Sequence, residues 1–197
     1  MRYVVVPLTL LASLSTLAGA RADDSQRVPL APDSVYVEAL GAGLAESLNY
    51  ERIIADRFAL RVGAGMFTGG MDVGNDGVHR AFFAFPVTVS YVGVRAHGHA
   101  LEVGSGVTVT DEGAGRIVYV YAAGSGEDPK AFGAALVGYR FQPEGHAGLQ
   151  IRVGAMVLAG NGLALYRGDI QSYEQQAADA GRFGVIPWGY LSVGASF

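Results

Sequence analysis

The chain has 197 residues, of which 50% are hydrophobic and 16% are charged, and it contains no cysteine. The charge content is low for a soluble exported domain, since globular proteins carry roughly 25% charged residues, and the lack of cysteine excludes disulfides, thiolate metal sites and a lipidated cysteine. Without Arg2 and Arg21, the chain has 12 basic and 18 acidic residues, a net charge of −6. This negative charge argues against nucleic acid as a partner.

The first 22 residues have the features of a secretory signal peptide. They combine a positively charged start, an apolar run at 4–17 and a small-residue cleavage site that ends at Ala22. The apolar run is shorter than the about 20 residues that a membrane-spanning helix needs. We therefore expect export and cleavage near Ala22, followed by a short segment at 23–33 and one domain at 34–197.

The domain shows the period-2 alternation of β-strands, bounded by glycine, proline and acidic turn residues. The eight predicted strands are 34–43, 46–54, 58–67, 81–92, 98–109, 132–142, 146–159 and 185–197. One short helix is predicted at 172–181, between Ser172 and Gly181.

The connections between the predicted strands differ in length in a regular way. Tight turns follow strands two, four and six at 55–57, 94–97 and 143–145, whereas long polar loops follow strands three, five and seven. An even number of about ten-residue strands, with tight turns on one side and long loops on the other, is typical of a bacterial outer-membrane β-barrel. Both chain ends would then lie on the tight-turn side, in the periplasm.

The two faces of these strands differ sharply in composition. One face carries bulky apolar residues, such as Leu60 and Val62 in strand three and Leu101 and Val103 in strand five. The opposite face carries mainly glycine and serine. Its charged residues are Glu38, Glu51, Arg61, Glu102, Arg140 and Arg152.

This composition favours a membrane barrel over a soluble one of opposite polarity. A lipocalin-like barrel would place the apolar face inside and would use the glycine-rich face as its solvent coat. In an eight-stranded membrane barrel, small and charged residues fill the interior, because an Arg on the lipid face costs about 2–4 kcal/mol near the bilayer centre. We therefore expect the three acidic and three basic residues to form an ion-pair network in the lumen.

Aromatic residues provide a second indication of a membrane barrel. Six of them are predicted at the periplasmic ends of strands on the lipid face, as an aromatic girdle: Tyr50, Phe58, Tyr91, Tyr139, Phe141 and Phe197. The C-terminal Phe197 is also the kind of terminal aromatic that outer-membrane barrels present to the barrel assembly machinery.

Over essentially the whole of 34–197, the sequence resembles the group of small, functionally uncharacterised outer-membrane β-barrel proteins. "VYVEALGAGLAESLNYER" at 35–52 looks like their opening hairpin, and the architecture is similar to outer-membrane protein A-type barrels. The resemblance implies the outer membrane of a Gram-negative bacterium and lipopolysaccharide as a neighbour.

Sites for chemistry are sparse. Lipid A deacylase barrels place a His and a Ser together on the lipid face; here Ser105 faces lipid, but no histidine is two residues away. A metal site at the periplasmic turns would use His97, His99 and His146, although histidine is also tolerated in solvated turns. The fourth histidine is His79. The long loops carry acidic residues and tyrosines suited to surface contacts, and "RIVYVY" at 116–121 is expected to extend barrel strands.

The sequence therefore predicts an all-β, eight-stranded antiparallel up-and-down transmembrane β-barrel with a side-chain-filled lumen. We expect a non-enzymatic envelope-structural or surface-interaction role, with no cofactor. Two alternatives stay open: a lipid-modifying barrel enzyme and a soluble periplasmic lipid-binding barrel.

Overall fold

The computed structural model describes residues 28–71, 78–111, 115–117, 120–122, 130–161, 163–165 and 182–197. In this part of the chain the regular structure is almost entirely β. The strands are β1 (Asp33–Leu40), β2 (Glu46–Ile54), β3 (Phe58–Met71), β4 (Val78–Ala96), β5 (His99–Thr110), β6 (Gly115–Ile117), β7 (Val120–Ala122), β8 (Lys130–Phe141), β9 (Gly148–Asn161), β10 (Leu163–Leu165) and β11 (Phe183–Ser196).

Eight of these strands form one closed barrel in the order β1-β11-β9-β8-β5-β4-β3-β2. Every neighbouring pair is antiparallel, and the first strand closes the sheet by pairing with the last, with Val37 opposite Val193. The prediction of an eight-stranded, antiparallel, up-and-down barrel is confirmed. The described residues contain no helix long and apolar enough to cross a membrane.

The first hairpin differs from its prediction. β1 ends at Leu40 rather than at residue 43, because Gly41–Gly43 form a 3-10 turn whose residues are all buried. The backbone has positive φ at Leu40 (62°), Gly41 (74°) and Leu44 (75°), which turns the chain into the barrel mouth. A second difference is that β4 continues to Ala96, so the next tight turn lies at 97–98 and not at 94–97.

A small second sheet is separate from the barrel sheet. β6, β7 and β10 pair with one another in the order β10-β7-β6 and with none of the eight barrel strands. The prediction that 116–121 extends barrel strands is therefore wrong for its described residues, since β6 and β7 pair with each other and β7 pairs with β10. The helix predicted at 172–181 lies outside the described residues.

The barrel interior has an apolar layer at the end where the long loops connect the strands. Its larger members are Phe132, Leu136, Met156, Leu158 and Ile186, which pack with the inward-folded Leu44 and with Leu163 of β10. The prediction that the inward face is small except where it is charged is therefore wrong at this end. At this end, large apolar side chains rather than small or charged ones fill the interior.

The tight-turn end is covered by residues 28–32, which precede β1. Leu30 packs on Ile53, Ala59 and Val92, and it forms an isolated bridge with Glu144. The turn residue Asp56 fixes this segment, since its Oδ1 accepts a hydrogen bond from the Leu30 amide at 3.1 Å. The charged residues of the interior therefore lie between two apolar layers.

Candidate functional site: the interior charge network

The six charged residues singled out in the sequence all lie inside the barrel. Each strand alternates exposed and buried residues, and these six occupy buried positions on β1, β2, β3, β5, β8 and β9. Their exposed fractions are 0 or 1% for Glu38, Glu51, Arg61, Glu102, Arg140 and Arg152. Three arginines and three glutamates balance the formal charge.

Arg152 and Glu102 form the most complete pair. The Arg152 Nε atom lies 2.8 Å from Glu102 Oε2, and its Nη2 atom lies 2.6 Å from Oε1, so the guanidinium donates to both carboxylate oxygens. Its third nitrogen, Nη1, donates to the Tyr36 hydroxyl at 2.5 Å. The guanidinium also stacks on two rings, with its Cζ 4.9 Å from the Tyr36 centroid and 5.6 Å from that of Tyr190. Two-oxygen pairing of this kind fixes geometry as well as energy.

Arg140 and Glu51 form a second two-oxygen pair. Nη1 of Arg140 lies 2.5 Å from Glu51 Oε1, and Nη2 lies 2.8 Å from Oε2. Nη1 is also 3.1 Å from the Gln142 amide oxygen, and Nη2 lies 3.4 Å from Glu102 Oε1. Arg140 therefore joins Glu51 to the Arg152 pair.

Arg61 and Glu38 form a third pair with a single short contact. Arg61 Nη1 donates to Glu38 Oε2 at 2.7 Å, and its Nε donates to the Thr88 hydroxyl at 2.6 Å. Arg152 Nη1 lies 3.9 Å from Glu38 Oε2 and 3.9 Å from Glu51 Oε2. Through these longer contacts, the three pairs form one connected network.

Neutral polar residues complete the network. Ser90 donates to Glu102 at 2.7 Å, and Gln150 donates to Glu51 at 3.4 Å. Gln142 donates to the Ala31 carbonyl at 2.9 Å and thereby ties the network to the segment that covers the tight-turn end. The period-2 pattern could have indicated two of them, since Gln142 and Gln150 lie two residues from Arg140 and Arg152, whereas Ser90 lies on β4, which carries none of the six charges.

The network is suited to holding walls together rather than to acid–base chemistry. Each of the three carboxylates has at least one oxygen in a short hydrogen bond to a guanidinium group. Its members connect strands that are not neighbours in the sheet, so the ion pairs cross the lumen. The interior therefore provides cross-bracing for the barrel.

The six aromatic residues of the predicted girdle lie on the outer face, toward the tight-turn end. Tyr50, Phe58, Tyr139 and Phe197 are 40–57% exposed, whereas Tyr91 and Phe141 are half-buried. Phe58 and Tyr91 pack edge to face with ring centroids 5.5 Å apart. The Tyr50 hydroxyl donates to Asp33, which also accepts a hydrogen bond from the exposed Arg52 at 3.3 Å.

The residues considered for catalysis and metal binding do not come together. Ser105 is exposed on the outer face, opposite Val89 and Ala135 on the neighbouring strands. The ring of His99 contacts Tyr139, with 2.5 Å between Nδ1 and the hydroxyl oxygen. Among the described residues, no group of three or more His, Asp and Glu side chains could hold a metal ion.

Fold and interior together define the class of protein: a closed eight-stranded β-barrel braced by buried ion pairs. No family model matches the chain, and no curated protein or solved structure matches it either.

Proposed function

We propose that the protein is an integral outer-membrane β-barrel of a Gram-negative bacterium, with a non-enzymatic envelope-structural or surface-interaction role. The observation that carries this proposal is the polarity of the wall. Its outer face exposes large apolar side chains on every barrel strand, while three arginines and three glutamates are fully buried within.

The outer face is too apolar and too continuous for a surface in water. Mid-strand residues such as Leu48, Val87, Val103, Val137 and Val153 are 39–59% exposed and lie on strands all around the barrel. Soluble monomers rarely expose contiguous apolar patches larger than a few hundred Å². A hydrocarbon environment accounts for such a belt, because lipid tails are as apolar as the side chains that they contact.

The orientation follows from the layout of turns and loops. In this proposal, the tight turns and both chain ends are periplasmic, and the long loops face outward toward lipopolysaccharide. The aromatic residues near the tight turns would lie at the periplasmic headgroup level. Phe197, 57% exposed at the end of β11, would be the residue that the barrel assembly machinery recognises.

Export is part of the same proposal. Residues 1–22, outside the described part of the chain, would be the signal peptide, cleaved near Ala22. N-terminal sequencing of the mature protein from envelopes checks the cleavage site.

The decisive experiment is envelope fractionation followed by electrophoresis of the detergent extract with and without boiling. We expect the protein in the outer-membrane fraction, migrating faster before boiling than after, because a braced barrel stays compact in detergent. Recovery in the soluble periplasmic fraction, with no shift on heating, would overturn the proposal and favour a soluble lipid-binding barrel.

A second experiment tests the non-enzymatic part. The acyl content of lipid A is compared between strains with and without the gene, and in a Ser105→Ala strain. We expect identical acyl patterns. A pattern that changes with the gene and is abolished by Ser105→Ala would instead assign a lipid-modifying enzyme.

A further inference from the structure

The barrel wall is incomplete at the long-loop end, above the first hairpin. β1 pairs with β11 only up to Tyr190, so residues 183–189 of β11 pair with β9 alone. β2 likewise pairs with β3 only up to Gly65, so residues 66–71 of β3 pair with β4 alone. At the usual spacing of strands, two absent strands leave roughly 14 Å between β11 and β3. We call this opening, between 183–189 and 66–71, the wall gap.

The edge of β11 that faces the wall gap is suited to staying unpaired. In the β1–β11 ladder, Asp33 and Phe197 exchange both backbone hydrogen bonds, at 3.1 and 2.8 Å. The backbone groups of every second residue point toward the same neighbouring strand, so those of Pro187 point away from β9 and into the gap. Proline has no N–H to donate and is tolerated in a sheet where no ladder bond is needed. The sequence of β11 therefore matches a wall that is open beside Pro187.

The apolar layer of the interior is partly exposed where it borders the wall gap. Ile186 and Tyr190, the neighbours of Trp188 on the inward face of β11, are only 2 and 3% exposed. Trp188 itself is half-buried, although it also packs on the layer. Ala45 is the other half-buried residue that packs there, and it follows the inward turn of the first hairpin. Both residues therefore lie at the border of the gap.

The second sheet contacts both strands that flank the wall gap. β10 contacts β11, and β6 contacts β3. The backbone of β10 comes so close to Gly184 that an added Cβ would overlap the Leu163 carbonyl oxygen, and the Leu163 side chain is buried in the apolar layer. In the described part of the chain, β10, β7 and β6 form ladders only with one another, so these contacts are packing contacts. The second sheet therefore covers the layer from the long-loop side and leaves the gap as a sideways approach.

We propose that the wall gap is a binding site for one hydrocarbon chain of a membrane lipid, which enters beside Pro187 and packs on Trp188 and Ala45. The rim of the gap is apolar, since Met66 and Val185 are 48 and 60% exposed on the outer face. A hydrocarbon chain needs no hydrogen bond from the rim, whereas an added peptide strand would lack the ladder bond that Pro187 cannot donate. The site rests on the proposed function, because only a barrel within a bilayer presents this opening to lipid chains.

The charge network lies on the other side of the first hairpin from this site. Glu38, its member on β1, is opposite Ser192, which lies beyond Tyr190 toward the tight-turn end. The inward turn at Gly41–Gly43 separates the network from the gap, and all three of its residues are buried. A bound chain would therefore contact the apolar layer without disturbing the ion pairs.

The fluorescence of Trp188 provides the test, because it is the only tryptophan of the chain. The folded protein is reconstituted into vesicles of phosphatidylcholine with bromine atoms on the acyl chains, which quench tryptophan at short range. We expect Trp188 to lose most of its emission relative to vesicles of the same lipid without bromine. Iodide in the aqueous phase should quench it several-fold less, because the second sheet covers the layer from the long-loop side.

The matched control moves the tryptophan to another part of the same layer. Trp188→Phe combined with Phe132→Trp places it on β8, at a position that is 1% exposed. The wall is closed there, since β8 pairs with β5 opposite Thr108 and with β9 from Gly133 onward. Brominated chains should therefore quench this tryptophan several-fold less than Trp188.

The outcomes separate the site from the proposed function. Insertion is checked in the same vesicles by the shift on heating, and a protein that does not insert would overturn the proposed function and the site with it. An inserted protein whose Trp188 is quenched by iodide but not by brominated chains would overturn the site alone. Equal quenching by brominated chains at the two tryptophan positions would do the same.

Discussion

Replacing Arg152 with methionine tests whether the buried pairs brace the barrel. The substitution keeps a long side chain but removes three nitrogens that contact Glu102 at 2.6 and 2.8 Å and Tyr36 at 2.5 Å. Glu102 would keep Ser90 and the longer contact to Arg140 at 3.4 Å. The Glu102 carboxylate would therefore stay buried after losing the two short hydrogen bonds from Arg152 that offset the cost of its burial.

The expected cost is large on the scale of a folded domain. Removing one partner of a buried ion pair costs about 3–5 kcal/mol, against a total stability of about 5–15 kcal/mol. With a urea dependence of about 2 kcal/mol/M, the unfolding midpoint should fall by about 1.5–2.5 M.

The assay is urea unfolding in detergent micelles, with refolding curves recorded to check that the two transitions coincide. Arg52→Met is the matched control, because Arg52 is exposed on the outer face and contacts Asp33 at 3.3 Å. Its midpoint should stay close to that of the parent protein, since exposed pairs contribute little. Equal midpoints for the two variants would refute the argument that the lumen charges are paired and desolvated.

A double-mutant cycle refines the result. Glu102→Gln should also destabilise the barrel, and the combination with Arg152→Met should cost less than the sum of the two single changes, because both remove the same interaction. Strict additivity would mean that the two side chains act independently.

Three further predictions test the wall and the tight-turn end. Gly138→Ala should lower stability by about 1–3 kcal/mol, because its Cβ would collide with a neighbouring tyrosine ring and hydroxyl, whereas at Gly133 an added Cβ meets a backbone oxygen at an ordinary 3.6 Å. Val103→Arg should cost about 2–4 kcal/mol in lipid vesicles, and the same change at Phe183, 68% exposed at the long-loop end, should cost much less. Asp56→Asn should speed proteolysis ahead of β1 while the barrel stays intact, since this carboxylate holds residues 28–32 in place.

Each of these predictions has an outcome that contradicts it. Thermal unfolding that shifts equally for Gly133→Ala and Gly138→Ala would remove the packing argument. Full folding of Val103→Arg in vesicles would contradict burial of that face in lipid. Glu144→Gln is the control for Asp56→Asn, because the Glu144 carboxylate makes only a long contact, 4.0 Å from Arg95 Nε. Equal digestion rates for the two variants would show that Asp56 does not hold residues 28–32 in place.

The barrel could be predicted from sequence because most strands have one face that differs from the other. In "LRVGAGM", the alternation assigns Arg61 and Leu60 to opposite faces, whether the barrel is surrounded by lipid or by water. The tight turns make consecutive strands neighbours and so determine the strand order. The partner of each charge could not be predicted in the same way. Arg140 contacts Glu51 across 89 residues of sequence, and that choice depends on the register of every intervening strand pair.

The errors have a common physical origin. Alternation is lost where both faces are apolar, as in "AMVLAG" and "VIPW", so the inward positions of Met156, Leu158 and Ile186 carried no signal. The inward turn at Gly41–Gly43 was similarly hidden, because it depends on positive φ at two leucines, a conformation that their side chains disfavour.

The span of the buried ion pairs has a consequence for how the barrel forms. Arg61, Arg140 and Arg152 are each neutralised by residues on strands that are not their neighbours in the sheet, and the contact from Arg152 to Tyr36 joins positions 116 residues apart. Arg140 on β8 and Glu51 on β2 lie four positions apart around the sheet, and Arg152 on β9 reaches Tyr36 on β1 past β11. An open sheet would leave both contacts unmade, so pairing of β1 with β11 and neutralisation of Arg140 should occur as one cooperative event.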